Sequence, residues 1–117
     1  MKKLIALLCS IVVVMAMAGC TSKTYELPHD QFCYSESNGN VIELDLKAKE
    51  HIIDLLNNGN WYGDIAKCPS DYKFYTKSQS IGYNTEEGVF NDFTLKRSLK
   101  ISEDERVLIN GYLDNNN

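Results

Sequence analysis

The sequence contains few of the residues and patterns on which catalytic and nucleic-acid-binding sites are built. It has only 2 His and 2 Pro among 117 residues, and it has no Gly-rich phosphate loop, Ser-centred nucleophile elbow or internal repeat. Acidic residues (16) outnumber basic residues (12), which gives a net charge of −4 and argues against a nucleic-acid partner. We therefore expect a protein that is not an enzyme, has no cofactor and does not bind nucleic acid.

A hydrophobic run long enough to cross a membrane is also missing. The uncharged stretch from Leu4 to Gly19 is shorter than the about 20 residues that a spanning helix needs. It follows Lys2 and Lys3 and ends in small residues, which is the three-part pattern of an export signal. The sequence therefore predicts a signal peptide over residues 1–19.

The end of this run, Met17-Ala18-Gly19-Cys20, resembles the lipobox of bacterial lipoproteins. The resemblance implies cleavage before Cys20 and attachment of a diacylglycerol to its sulfur, often with a further fatty acid such as palmitate on the new amino terminus. Two or three acyl chains hold a protein on a membrane almost permanently. The resemblance thus implies a lipid-anchored protein facing outside the cytoplasm, on the outer membrane of a Gram-negative cell because Thr21 replaces the Asp that marks inner-membrane retention.

The rest of the chain is long enough for one small domain. Residues 20–29 are polar and contain a proline, which is typical of a tether, and residues 114–117, one aspartate followed by three asparagines, are typical of a disordered tail. We therefore expect a lipidated tether over 20–29 and a single domain over 30–113.

Two of the four cysteines keep a free thiol after the predicted processing. Cys9 leaves with the signal peptide and Cys20 carries lipid, so Cys33 and Cys68 are left. Export delivers a chain to a compartment in which disulfides form, and an even number of thiols favours a single Cys33–Cys68 bridge. The alternative is two separate buried thiols. A metal site is not expected, because neither cysteine belongs to a Cys-x-x-Cys pair and histidine is scarce.

Local patterns predict two hairpins. The first surrounds Asn38-Gly39, a pair suited to a two-residue type I′ turn, and this register makes Cys33 face Leu44 on the apolar side. The second lies in "DYKFYTKSQSIGYNT", with a loop centred on Ser78-Gln79. In its predicted register Phe74 pairs with Tyr83, and Tyr75 lies across from Gly82.

Two helices are also predicted. The apolar stripe of "LKAKEHIIDLLNN" predicts a helix over about Leu46 to Asn58, and "SEDERVLINGYL" begins with the capping box Ser102 and Glu105. Between them, "EEGVFND" is predicted to be a loop, and "FTLKRSLKI" is a candidate for a fifth strand. The order β-β-α-β-β-(β)-α predicts an α+β fold, a small antiparallel sheet packed by two helices. The stretch from Asp71 to Leu113 is similar to small uncharacterised bacterial proteins, a resemblance that implies no activity.

These features favour a non-catalytic binding module in the cell envelope. Its expected partners are the membrane, through lipid on Cys20, and an envelope protein, peptide or glycan. Trp61 and Tyr62, in a Gly- and Asn-flanked loop, and Tyr75 are the candidate binding surface. Trp61 could instead close the core, and Tyr75 could simply cover Gly82. Two alternative functions remain: an inhibitor or immunity-type lipoprotein that blocks an enzyme or toxin, and a structural component of an envelope complex.

Overall fold

A computed structural model describes residues 24–115 as a five-stranded antiparallel sheet with two helices, which confirms the α+β class. The signal peptide, Cys20 and the end of the predicted tail lie outside the described residues. The strands are hydrogen-bonded to one another in the order in which they occur in the chain. The elements are β1 (Cys33–Ser35), α1 (Leu46–Asn58), β2 (Tyr72–Tyr75), β3 (Ser80–Asn84), β4 (Val89–Asp92), β5 (Arg97–Lys100) and α2 (Glu103–Asn115).

One face of the sheet, which we call the inner face, forms the hydrophobic core with the two helices. Side chains alternate across a strand, so every second residue of each strand points to this face. Tyr83 and Phe90 pack with ring centroids 4.5 Å apart, and Phe74 lies 5.9 Å from Phe90. The helices contribute buried aliphatic side chains, namely Ala48, Ile52, Ile53, Leu56, Ile109 and Leu113.

Both helices begin at side chains that accept hydrogen bonds from free backbone amides. The Asp45 carboxylate accepts from the Ala48 amide at 2.8 Å, and the Ser102 hydroxyl accepts from the Glu105 amide at 3.2 Å. Each cap satisfies a donor that has no partner within its own helix. The predicted bounds of α1 and the predicted cap of α2 are confirmed.

The first predicted hairpin is wrong in its register. Cys33 pairs with Phe74 of β2, and the residues after the turn form only an isolated bridge in which Val41 faces Tyr34. The turn therefore has four residues rather than two, and Gly39 (φ +73°) takes the left-handed conformation. The Asn38 side chain instead accepts a hydrogen bond from the amide two residues on, at 2.9 Å.

The second predicted hairpin is shifted by two residues. Phe74 pairs with Ile81, because the Thr76 amide donates to the Gln79 carbonyl at 3.0 Å and closes a four-residue turn. A shift of two residues keeps each side chain on its predicted face, since the period of a strand is two. It does place Lys73, rather than Tyr75, across from Gly82.

Between residues 72 and 100 the sheet has four strands, one more than the three that were predicted there. The expected strand in "FTLKRSLKI" is present as β5, and β4 occupies residues that were expected to form a loop. All four residues of β4 are buried, so its sequence lacks the polar and apolar alternation of a half-exposed strand. The sheet has five strands as predicted, but the second strand of the first predicted hairpin is absent and β4 is an additional strand.

The folded body also includes part of the predicted tether. Tyr25 is fully buried, and the Asn57 side chain binds its backbone twice: it accepts from the Tyr25 amide and donates to the Tyr25 carbonyl, both at 2.9 Å. A segment held in this way is part of the domain. The boundary therefore lies before Tyr25 rather than at residue 30, and α2 extends to Asn115 rather than ending at 113.

Candidate functional site

The face of the sheet opposite the helices, which we call the outer face, is covered over β3 and β4 by the segment of residues 66–70. The Asn91 side chain accepts from the Ala66 amide at 2.8 Å and donates to its carbonyl at 3.0 Å. The Asn84 side chain donates to the Pro69 carbonyl at 2.8 Å. Gly82 lies between these contacts, and its missing side chain leaves room for Ser70. Two amide side chains and one glycine therefore hold this segment on the outer face.

This segment places Cys33 and Cys68 on opposite faces of the sheet. Cys33 is buried on the inner face beside the helices, whereas Cys68 lies in the covering segment next to Asn91. Both thiols are free, so the predicted Cys33–Cys68 bridge is wrong, and the physical reason is that the sheet separates them. The alternation of side chains along the strand correctly predicted that Cys33 faces the core. It could not predict the path of the segment that contains Cys68.

Neither thiol has the environment of a nucleophile. Burial raises the pKa of Cys33 to about 12. Partial burial, followed by the carboxylates of Glu87 and Asp71, raises the pKa of Cys68. Reactive cysteines need surroundings that stabilise the thiolate, and both of these sites oppose it.

The part of the outer face over β1 and β2 is not covered by that segment and borders a groove of about 730 Å³. Tyr75 is 40 % exposed there, and its ring is held edge-to-face against the ring of Tyr34, with centroids 5.4 Å apart. The Tyr75 ring is therefore accessible from the groove and is held in place by its contact with Tyr34. Its lining consists of Pro28, His29, Asp30, Gln31, Tyr34, Ser35, Glu36, Gly39, Lys73, Tyr75, Thr76 and Lys77.

The lysines of this groove are paired with carboxylates. Lys73 lies 3.0 Å from Glu36, and Lys77 lies 3.3 Å from Glu26. Each pair is solvent-accessible and contributes about 0 to 1 kcal/mol to stability. The pairs also reduce the field that a charged ligand would experience. The groove thus combines an aromatic surface with many polar atoms, and the charges of its two lysines are compensated.

The other two predicted contact residues lie elsewhere. The Trp61 indole donates to the Leu56 carbonyl at 2.8 Å and stacks on Tyr25 at 5.4 Å, with the guanidinium of Arg97 4.8 Å from its ring. Trp61 therefore closes the core after α1. Tyr62 is 66 % exposed, but its backbone pairs with Ser98 of β5, at the edge of the sheet opposite β1. Of the three, only Tyr75 borders the groove.

A single histidine, His51 of α1, is hydrogen-bonded to two side chains of α2. His51 uses both ring nitrogens, Nδ1 toward the Tyr112 hydroxyl at 2.7 Å and Nε2 toward the Glu105 carboxylate at 3.0 Å. A histidine with both nitrogens engaged is held as a structural link between α1 and α2. Across residues 24–115, no group of three His, Cys, Asp or Glu side chains is placed to hold a metal ion.

Comparison with known proteins does not extend this description. No protein-family model, curated protein or solved structure matches the chain. Within the described range, neither helix is long and apolar enough to cross a membrane.

The groove contains residues that the sequence did not single out. Tyr34 and Lys73 alternate with Cys33 and Phe74, so strand parity alone would have placed them on the outer face beside Tyr75. The segment 28–31, by contrast, lines the groove because both of its ends are held: Tyr25 is buried in the core, and the Phe32 carbonyl accepts from the Tyr75 amide at 2.8 Å. No local pattern carries that information.

Proposed function

We propose that this chain is a lipid-anchored, non-catalytic binding module of the cell envelope, attached through Cys20, whose groove beside β1 and β2 binds a neutral glycan. The lipobox-like residues 17–20 support the anchor. The braced ring of Tyr75 within a polar groove is the observation that carries the choice of ligand.

A sugar ring offers a ligand with two chemically different surfaces. Its C–H groups stack on an aromatic face, while its hydroxyls and acetamido groups exchange hydrogen bonds with polar side chains around the rim. Tyr75 supplies the aromatic surface, and Tyr34 limits its rotation, so little side-chain entropy is lost on binding. The pairing of Lys73 and Lys77 with carboxylates favours a neutral ligand over an anionic one.

A non-catalytic role is supported by the state of the reactive side chains. His51 has both nitrogens engaged, and the pKa values of Cys33 and Cys68 are raised rather than lowered. A thiolate nucleophile needs a lowered pKa, and neither His51 nor the two cysteines line the groove. The groove is therefore better suited to holding a ligand than to transforming it.

Titration of the full mature protein in nanodiscs with neutral N-acetylated oligosaccharides, followed by calorimetry, tests the proposal. We expect saturable binding that Tyr75→Ala weakens by about tenfold or more, the effect of removing an aromatic contact worth over 1 kcal/mol. Tyr62→Ala is the matched control, because Tyr62 is an exposed tyrosine at the other edge of the sheet. Absence of binding, or equal losses in the two variants, would contradict the assignment.

A further inference from the structure

The chain enters the folded body beside two neighbouring turns at one end of the sheet. The Gln79 side chain donates to the Thr24 carbonyl at 3.1 Å, which places Thr24 next to the turn between β2 and β3. The Tyr25 hydroxyl donates to Asp92 at 2.6 Å and accepts from Arg97 at 2.8 Å. These two residues flank the turn between β4 and β5, residues 93–96, which lies at the same end of the sheet.

The length of chain before this point limits the distance to an anchor at Cys20. Only four residue steps separate Cys20 from Thr24, and a fully extended chain spans at most about 14 Å over that length. This step rests on the proposed attachment through Cys20. Given that attachment, the end of the sheet that carries both turns must lie close to the membrane surface.

The 93–96 turn exposes an apolar side chain at this end. Leu95 is 45 % exposed, and the exposed Lys96 follows it directly. The ring of Phe93 instead lies on the outer face, beside Gly82 and 5.6 Å from the Lys73 ammonium. Such a tip matches the boundary between lipid headgroups and acyl chains, where apolar side chains are buried and a lysine reaches the phosphates. Without a contact of this kind, the exposed apolar surface of the turn would stay in water.

The turn is also held in one conformation. The Asp92 carboxylate accepts from the amides of Thr94 and Leu95, both at 2.9 Å, and the Asp92 carbonyl accepts from the Lys96 amide at 2.8 Å. The Ser80 amide donates to the Thr94 hydroxyl at 3.0 Å. A rigid tip loses little conformational entropy when it enters an interface.

We propose that the 93–96 turn is a second membrane contact, in which Leu95 enters the bilayer interface and fixes the orientation of the anchored domain. The lipid on Cys20 holds the protein at the membrane, and the turn determines which end of the sheet faces it. The groove beside β1 and β2 then keeps a constant direction relative to the envelope.

Fluorescence quenching by lipids with brominated acyl chains tests this contact. The lipidated protein is reconstituted into phosphatidylcholine–phosphatidylglycerol vesicles, and the emission added by Leu95→Trp is compared with that added by Leu108→Trp. Leu108 is a matched control because it is 47 % exposed and lies on α2. That helix contacts the opposite end of the sheet, where Arg106 and Asn110 both donate to the Thr85 carbonyl at 3.0 Å.

We expect brominated lipid to remove about half or more of the emission added by Leu95→Trp and almost none of that added by Leu108→Trp, because only the first would lie in the interface. Equal quenching of the two, or none, in protein that floats with the vesicles would overturn the membrane contact and leave the lipid anchor intact. Protein that is not lipidated and does not float would overturn the anchor and the membrane contact together.

Discussion

The Tyr25 hydroxyl and the Asp92 carboxylate form a 2.6 Å hydrogen bond between two side chains that are both fully buried, 67 residues apart in the chain. Arg97 donates to the same hydroxyl at 2.8 Å, and its guanidinium also lies over the Tyr25 ring. Burial, followed by the hydrogen bond to Asp92, raises the pKa of Tyr25. This contact joins the start of the folded body to β4 and β5.

Tyr25→Phe should lower the free energy of unfolding by about 1–3 kcal/mol, because Asp92 would lose a buried donor without gaining a replacement. Urea denaturation of the mature protein measures the change. Tyr62→Phe is the control, since Tyr62 is mostly exposed, and we expect it to change stability by less than about 0.5 kcal/mol. Similar stability of the two variants would mean that the buried contact contributes nothing.

The two free thiols should differ sharply in their access to reagents. Iodoacetamide should label Cys68 in the folded protein and Cys33 only after unfolding, because Cys33 has no exposed surface. Mass spectrometry of labelled digests prepared without reductant distinguishes the sites. Thiols that become labelled only after reductant is added would show a bridge and contradict the separation of the two cysteines by the sheet.

Stability should fall as the pH rises above 9. The Cys33 thiol has its pKa raised by burial from 9.0 to about 12, so its contribution to stability is complete below pH 9 and is lost between these values. The free energy of unfolding should decrease by up to about 1.4 kcal/mol per pH unit in this range, because the unfolded state releases a proton that the folded state keeps. Denaturation midpoints from pH 8 to 11 should show a smaller decrease for Cys33→Ala. An identical pH dependence in the two proteins would refute this explanation.

Alanine substitutions at two glycines should have opposite effects. A Cβ at Gly82 would lie 2.9 Å from both the Phe93 ring and the Ser70 Cβ, so Gly82→Ala should destabilise by about 1–3 kcal/mol. A Cβ at Gly111 in α2 would meet no atom within 4 Å, and Gly111→Ala should stabilise by about 0.5–1 kcal/mol. Thermal unfolding of both variants gives the comparison. A stable Gly82→Ala variant would show that residues 66–70 do not pack on the outer face as described.

The sequence predicted the elements whose signals are local. The helix Leu46–Asn58 was predicted correctly because its apolar stripe and its terminal asparagines act within a few residues. Strand parity was also correct, since burial of Phe74 and Tyr83 requires only that alternate residues share a face. The hairpin registers were wrong because each turn is centred one residue earlier than predicted, which shifts the register by two residues and leaves the parity unchanged.

Features that depend on distant contacts could not be predicted. The "TSKTYELPH" segment looks like a polar tether because nothing near it shows that Tyr25 will meet Asp92 and Asn57. The aromatic side chain that approaches Gly82 proved to be Phe93, which lies at the start of the segment that was a candidate for the fifth strand. The groove is formed by residues of two strands and by a segment that distant contacts hold in place, so the sequence identified only Tyr75 among its residues.

The proposed function and the orientation of the domain both depend on lipid at Cys20, and the intact mass of the protein recovered from bacterial membranes measures it directly. We expect the chain to begin at Cys20 and to carry a diacylglycerol, and we expect Cys20→Ser to remain an unmodified precursor that begins with its full leader. A wild-type chain with an unmodified Cys20, or a Cys20→Ser chain that is cleaved at the same position, would contradict the account.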